Sequence, residues 1–229
     1  PLAFPRLLFT EIWLCFYSAM VQLIRLRRVA RVIALLTLVL VSLGAFVRAT
    51  GAGLSCPDWP LCFGRTIPPL VEGVLQEVVH RYIASIVGIL TAVFVIQAWS
   101  LRHRFRRLWQ LAVFSTLLLV VQIVFGGLTV TMKLNPLIVT THLALGTVFF
   151  QLFALVSIQR LPREEAPQIQ SPQTGSAYRN LILVVLLLTA AQVLLGGYVG
   201  SSGAALACPD FPACFGNYLP SADSKPQIV

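Results

Sequence analysis

Two histidines, His80 and His142, stand near the start of long apolar runs, in the sequences EVVHRYIASIVG and NPLIVTTHLALG. The runs are the second and fourth of the chain, so the helices they predict enter a membrane from the same side. Both histidines fall within the first two turns, which places the two imidazoles at a similar depth. Small residues follow each histidine within two turns: Ala84, Ser85, Gly88, Ala144 and Gly146. The remaining histidine, His103, belongs to the solvated basic turn RHRFRR and is incidental to this pattern.

An iron porphyrin is the ligand that such a histidine pair predicts. Two imidazoles on facing helices of a four-helix bundle can occupy both axial positions of the iron. The small residues further along each helix would leave room for the macrocycle. A single histidine inside a bilayer is better explained by a hydrogen bond to a neighbouring helix, but two at matched depth favour heme ligation. His80 and His142 are therefore our candidate ligands of a heme iron.

Glu77 is the carboxylate closest in sequence to this candidate site. It lies three residues before His80 and four before Arg81, so it shares one helix face with both. One interpretation is that Glu77 and Arg81 neutralise each other. The other is a catalytic carboxylate at the edge of the heme site, which relays protons or steers an oxidant. The sequence leaves both interpretations open.

Four cysteines form two pairs of equal spacing, in GLSCPDWPLCFG (53–64) and ALACPDFPACFG (205–216). Proline bends each loop, and five residues separate Cys56 from Cys62 and Cys208 from Cys214. A loop of this length can close a disulfide if it folds back, and an oxidising compartment favours that bond. A structural staple is favoured over a redox-active pair. Zinc is disfavoured because the cysteines lie in two separate loops without a nearby histidine.

The composition places these residues in a membrane. Apolar residues make up 57% of the chain and charged residues 11%, and the mean hydropathy is +0.84. The surface of a soluble domain would carry more charge, so this class is excluded. Apolar runs of about 20 residues, enough to cross ~30 Å of hydrocarbon, recur along the chain. They predict an all-α, multi-span membrane protein with clear spans at 32–47, 78–100, 108–131, 137–158 and 181–199.

Basic residues are distributed unevenly between the two sides of these spans. The segments RLRRVAR (25–31) and RHRFRR (102–107) lie on one side, together with a Pro-, Gln- and Ser-rich linker at 161–180. The positive-inside rule makes this side cytoplasmic. Both cysteine loops then face outwards, into the bacterial periplasm or an equivalent space. The net charge of +9 is thus a property of the cytoplasmic loops and does not indicate nucleic-acid binding. The external side carries few basic residues: Arg48, Arg65, Lys133 and Lys225, with Arg81 just inside a helix.

The chain contains an internal repeat. A shift of 152 residues places Cys56 on Cys208, and LGAFVRATGAGL (43–54) also matches LGGYVGSSGAAL (195–206). The repeat predicts two parallel copies of a four-helix bundle. The first occupies 25–160, whereas 181–229 supplies only the first helix and loop of the second. The chain therefore resembles a fragment, and we expect the natural gene to continue for about three further spans of ~20 residues. The first and third of these should carry a histidine at the external end.

Residues 1–24 include the apolar stretch LLFTEIWLCFYSAMVQLI, which Glu11 interrupts and which contains the unpaired Cys15. The stretch lacks the basic start and the cleavage site of a signal peptide. We interpret it as an interfacial segment, or one foreign to the protein, in preference to an additional span.

Four segments together resemble the heme A synthase family of proteobacterial type. They are RATGAGLSCPDWPLCFGRTIPP, EVVHR, QIVFGGLTV and TTHLALG. The resemblance implies two pseudo-symmetric four-helix bundles, each with a histidine pair for one heme. It assigns His80 and His142 to the heme O substrate, with Arg81 beside them as a cofactor-binding residue. It makes Glu77 catalytic and places heme b in the C-terminal half. It also implies that the cysteines form disulfides within each loop.

The reaction implied by the resemblance is the oxidation of the C8 methyl group of heme O to a formyl group by two successive hydroxylations. Dioxygen is the oxidant, and electrons come from an unidentified donor. Membrane lipid, heme O synthase and further copies of the chain are the other expected partners. Two rival functions stay open: a bis-histidine membrane cytochrome or heme carrier without chemistry, and a membrane thiol–disulfide oxidoreductase. The second rival leaves the histidine pair unexplained.

Overall fold

The computed structural model describes residues 4–69, 71, 73–158, 176–204, 207, 210, 213, 214 and 216–218, with the backbone alone for 4–16. Five α-helices account for most of these residues. They are α1 (Phe4–Ala49), α2 (Val74–Ser100), α3 (Arg106–Thr131), α4 (Pro136–Ile158) and α5 (Ser176–Ser201). Each contains a segment long and apolar enough to cross a membrane. The prediction of an all-α multi-span membrane protein is confirmed.

The helix ends follow local sequence signals. Gly51, with φ of +70°, lies just after the end of α1 and turns the chain away from the helix axis. Gly73, with φ of +81°, immediately precedes α2. Helix α4 begins with Pro136, whose missing N–H is not needed in the first turn. The side chain of Asn135 accepts a hydrogen bond from the Leu137 N–H at 3.0 Å and so caps this helix. These signals place the ends of α2 to α5 within five residues of the predicted spans.

Helix α1 is much longer than one membrane crossing. Its 46 residues extend over about 69 Å, more than twice the thickness of the hydrocarbon core. The segment 4–24, predicted as separate from the first span, continues that span as one helix. From Ala19 to Ile33 one face is buried at alternating intervals of four and three residues, the spacing of a helix packed along a bundle. That face comprises Ala19, Leu23, Leu26, Ala30 and Ile33.

Helices α1 to α4 form a ring. Helix α1 packs against α2 and α4, and α3 packs against the same two helices. Consequently α2 and α4 stand at opposite corners of a four-helix bundle, and so do α1 and α3. The interior is filled by aromatic rings in one half: Phe153 lies 5.1 Å from Phe94 and 4.9 Å from Phe149, measured between ring centroids. We call the end near the basic segments 25–31 and 102–107 the arginine end, and the other the disulfide end.

Helix α5 packs on the outside of this ring, against α4. Gly197 allows the close approach, since a Cβ there would lie 2.6 Å from Leu143 Cδ2. At the disulfide end, Arg48 of α1 donates a hydrogen bond from Nη2 to the carbonyl oxygen of Ser201 at 2.8 Å. Ser201 is the buried residue of α5. The rest of the helix therefore turns large apolar side chains outwards.

Candidate functional site

The two candidate ligands lie at the same depth of the bundle. His80 comes six residues after Val74, where α2 begins, and His142 comes six residues after Pro136, where α4 begins. Because α2 and α4 occupy opposite corners, the two imidazoles project towards a common interior. Both are half-buried. The structure therefore places the two histidines that the sequence singled out at one level of the bundle, on diagonally opposite helices.

Each imidazole packs against a glycine of the preceding helix. A Cβ on Gly44 of α1 would lie 3.3 Å from His80 Cε1, and a Cβ on Gly126 of α3 would lie 3.3 Å from His142 Cε1. Both glycines precede the end of their helix by five residues. The bundle thus has a local two-fold pseudo-symmetry that relates the α1–α2 pair to the α3–α4 pair.

The Nδ1 atoms of His80 and His142 are buried and have no hydrogen-bond partner. Buried polar atoms in proteins are normally paired, so two unpaired ones in equivalent places indicate a site built for another group. Nε2 of either ring is not among these buried unpaired atoms, and it is the nitrogen we consider for a ligand. Two neutral imidazoles on opposite corners fit the two axial positions of a heme iron.

Gln122 joins α3 to the His142 segment of α4. Its Nε2 donates a hydrogen bond to the carbonyl oxygen of His142 at 3.0 Å. A Cβ on Gly146, one turn after His142, would lie 2.9 Å from the same nitrogen. Gln122 and Gly146 thus pack α3 closely against α4, with a hydrogen bond across the interface. Gln122 Oε1 remains buried without a partner, beside the histidine it supports.

Glu77 holds the first cysteine loop onto α2. It is 5% exposed, and its Oε2 accepts a hydrogen bond from the Cys56 N–H at 2.9 Å. Its Oε1 forms an ion pair with Arg81 Nη2 at 2.5 Å. The neutralising partnership considered from the sequence is therefore present, and the same carboxylate is fixed one turn before His80. Both interpretations of Glu77 agree with this position.

Arg81 completes the attachment of the loop. Its Nη1 donates hydrogen bonds to the carbonyl oxygens of Asp58 at 2.9 Å and Leu61 at 2.5 Å. Together, Glu77 and Arg81 bind the loop at both ends of the ring closed by its cysteines. The guanidinium is thus occupied by Glu77 and by the loop, next to the predicted heme ligand His80.

The Cys56–Cys62 disulfide is formed. Cys56 is fully buried and Cys62 is 3% exposed, in a small cluster with Val74 and Val78 of α2. A partner thiol could not reach these sulfur atoms without opening the loop. Burial therefore favours the structural staple over the thiol–disulfide oxidoreductase.

The tip of the loop is organised by Asp58. Its carboxylate accepts hydrogen bonds from the N–H groups of Phe63 at 2.6 Å and Gly64 at 2.7 Å. These bonds, first that from Gly64, lower the pKa of the exposed Asp58 carboxyl. Phe63 and Gly64 both have positive φ, and the carboxylate stabilises this turn.

The same loop lies over the disulfide end of the bundle. The Trp59 ring packs on α3, where a Cβ on Gly127 would lie 3.1 Å from it. Gly53 packs against Leu134, which lies in the connection between α3 and α4. A Cβ on Gly53 would lie 3.3 Å from Leu134 Cδ1. The loop that leaves α1 and returns to α2 thus reaches the other side of the ring. It forms a cover next to Gly126 and the histidine pair.

The second loop repeats this turn where it is described. Gly216 donates its N–H to Asp210 at 2.8 Å, as Gly64 does to Asp58. The isolated bridge between Cys62 and Arg65 has its counterpart between Cys214 and Asn217. Cys214 is disulfide-bonded, whereas Cys208 lies outside the described residues. The predicted repeat is therefore present in the backbone as well as in the sequence.

Comparison with known proteins shows the family of the chain. The model of the cytochrome oxidase assembly protein family COX15-CtaA matches residues 27–227. The chain belongs to this family. It is 34% identical to the heme A synthase of Shewanella oneidensis over 208 residues, which is 82% of this chain and 61% of that protein. It is 33% identical to the heme A synthase of Shouchella clausii over 200 residues, which is 85% of this chain and 65% of that protein. The chain thus spans less than two thirds of the length of these relatives.

Several residues of the site were not predicted from the sequence. Gly44 was noted as part of the repeat and Gly126 as a helix-packing residue, but neither was connected with a histidine. Trp59 was seen as a recurring aromatic, without its contact to α3. Gly44 and Gly126 lie at equal distances from the ends of their helices, and this equal spacing is a sequence signal that could have connected them with the two histidines. The contact of Trp59 with α3 depends on how the loop folds, so the sequence carries no comparable signal for it.

Proposed function

We propose that this protein converts heme O to heme A for the assembly of cytochrome oxidase. The observation that carries the proposal is the pair His80 and His142, at equal depth on opposite helices with unpaired buried nitrogens, in a chain of this family. The names of its relatives, heme A synthase, support the reaction. The substrate's C8 methyl group is oxidised to a formyl group through two hydroxylations.

The four-helix bundle at 25–160 is the half that binds heme O. His80 and His142 hold the substrate iron through Nε2, and the small residues that follow them accommodate the macrocycle. Dioxygen would be the oxidant, with electrons from a separate donor, and the gem-diol left by the second hydroxylation would lose water to give the formyl group. The segment 181–229 belongs to a second half that binds heme b. The linker 161–180 joins the halves, although residues 159–175 lie outside the described ones.

Glu77 acts as the proton-transferring carboxylate at the edge of this site. Arg81 and the Cys56 N–H fix both of its oxygen atoms, so the carboxylate cannot turn away from the helix that carries His80. A fixed carboxylate near the reacting group is suited to accept or return a proton. Arg81 serves the cofactor site indirectly, because it holds the cover loop in place. The cover itself keeps bulk water from the reacting methyl group.

The protein is a multi-pass protein of the bacterial cytoplasmic membrane, with both cysteine loops in the periplasm. The basic segments at the arginine end support this orientation, and the disulfide at the other end suits an oxidising compartment. Heme O would enter from the membrane, delivered by heme O synthase.

The test is a product assay in membranes that contain heme O. Hemes are extracted and separated by chromatography, and the formyl product is measured for His80→Ala, His142→Ala and His103→Ala. The first two variants should lose heme A, while His103→Ala should retain it because that histidine lies in the turn between α2 and α3. Full heme A formation by both His80→Ala and His142→Ala would overturn the proposal. Bound heme without any formyl product in the wild type would instead indicate an electron-transfer cytochrome.

A further inference from the structure

Gly44 and Gly126 stand in equivalent relations to the two histidines. In both cases Cε1 of the ring lies 3.3 Å, and Nδ1 3.9 Å, from the position where a Cβ would lie; at Gly126 the Nε2 of His142 is also 3.9 Å from that position. The two contacts involve four different helices and occur at the same depth. Both glycines therefore meet the Cε1 edge of an imidazole.

Helical glycines of this chain differ in what a Cβ would meet. Gly88, Gly196 and Gly200 would each meet nothing within 4 Å, whereas Gly127, Gly146 and Gly197 would meet Trp59, Gln122 and Leu143. At Gly44 and Gly126, a methyl group would be tighter than an ordinary contact with an imidazole, which would have to move by a few tenths of an ångström. These two glycines are therefore the ones that accommodate the histidine rings.

We propose that Gly44 and Gly126 are positioning residues for the two imidazoles: each forms a notch in the neighbouring helix that receives the Cε1 edge of one ring and so sets the orientation of that ring. The proposal rests on the proposed function, since it treats the imidazoles as heme ligands. With Cε1 seated in the notch, the ring has little freedom for rotation about the Cβ–Cγ bond. Groups around a metal-ligating histidine commonly orient its ring in this way.

The test uses the purified protein loaded with iron protoporphyrin IX and observed by optical and electron paramagnetic resonance spectroscopy. Gly44→Ala and Gly126→Ala should each shift the largest low-spin g value and lower the heme content. The matched control Gly200→Ala should do neither. Alanine is the better helix former, so a loss cannot come from a weakened α1 or α3.

A double substitution separates positioning from general packing. In a His80→Ala background, Gly44→Ala should cause no further loss of heme, because no ring remains for the methyl group to displace. Equal additional losses in both backgrounds would overturn the proposal, and so would unchanged g values in both single variants. A wild-type protein that takes up no heme would overturn the proposed function and this inference together. A heme-loaded wild type with unchanged glycine variants would overturn the inference alone.

Discussion

At the scale of single residues, the position of Glu77 meets the requirements of both roles considered for it. Its ion pair with Arg81 and its bond to the Cys56 N–H are structural, and they also keep a carboxylate one turn from His80. A catalytic group needs such fixation, since a proton can be transferred efficiently only over hydrogen-bond distances. The two interpretations that the sequence left open are therefore compatible.

Glu77→Gln should separate these roles. Glutamine retains an oxygen for the Cys56 N–H but removes the charge, so the protein should still accumulate and bind heme. Heme A formation should fall on the order of 100-fold, the usual contribution of a general acid or base. The measurement is formyl product per bound heme. Adding Gln76→Glu to the Glu77→Gln variant should not restore the rate, because the side chain of residue 76 starts from a different position on the helix. An unchanged rate would leave Glu77 as a structural partner of Arg81 only.

The loop 50–73 is the element that connects the site to the outer surface. Several side chains attach it, among them Glu77, Arg81 and Tyr82 from α2, and Trp59 on α3. The disulfide closes a ring of only a few residues inside the loop, which restricts the unfolded chain and is worth about 2–3 kcal/mol. The cover is thus a preformed piece that docks on the bundle.

Acid should loosen this cover through Asp58. Its pKa is lowered from 3.8 in the folded loop, so its contribution is complete above that value and is lost as the pH falls through the lowered pKa. Asp58→Asn should accelerate reduction of Cys56–Cys62 by a phosphine at neutral pH. The ratio of the variant rate to the wild-type rate should approach one as the pH is lowered through the depressed pKa of Asp58. A ratio that does not change with pH would contradict the role of the carboxylate.

Peptide mapping under non-reducing conditions tests the pairing in the second loop. Since the turn around Asp210 repeats that around Asp58, Cys208 should be linked to Cys214. A peptide that joins Cys56 or Cys62 to a cysteine of the second loop would contradict this assignment.

At the scale of the whole molecule, the described residues form a closed ring of four helices with a fifth placed outside it. Helix α5 is attached through Gly197 against α4 and through the Arg48 bond to the Ser201 carbonyl. The attachment is concentrated at the disulfide end, where the repeated loops emerge. The first bundle and the start of the repeat are therefore joined near the site.

A pair of introduced cysteines tests this placement. The hydroxyl oxygens of Thr140 and Ser201 lie 3.5 Å apart, so Thr140→Cys combined with Ser201→Cys should form a disulfide in membranes, detected by electrophoresis after proteolysis of the linker. The control Thr141→Cys with Ser201→Cys should not, because Thr141 lies on the exposed side of α4. Equal cross-linking of both pairs would show that α5 is not held at this position.

The sequence by itself determined the five spans, the depth of both histidines and the repeated cysteine loop. Apolar runs must be helical in lipid, where every backbone group needs an internal partner. Depth then follows from counting residues, since an α-helix rises 1.5 Å per residue. Only the tertiary structure decided that Gly44 faces His80, that Gly126 faces His142 and that Arg81 binds the loop carbonyls. These contacts depend on which helices are neighbours and how each is rotated, and helices of similar apolar character carry little local information about either.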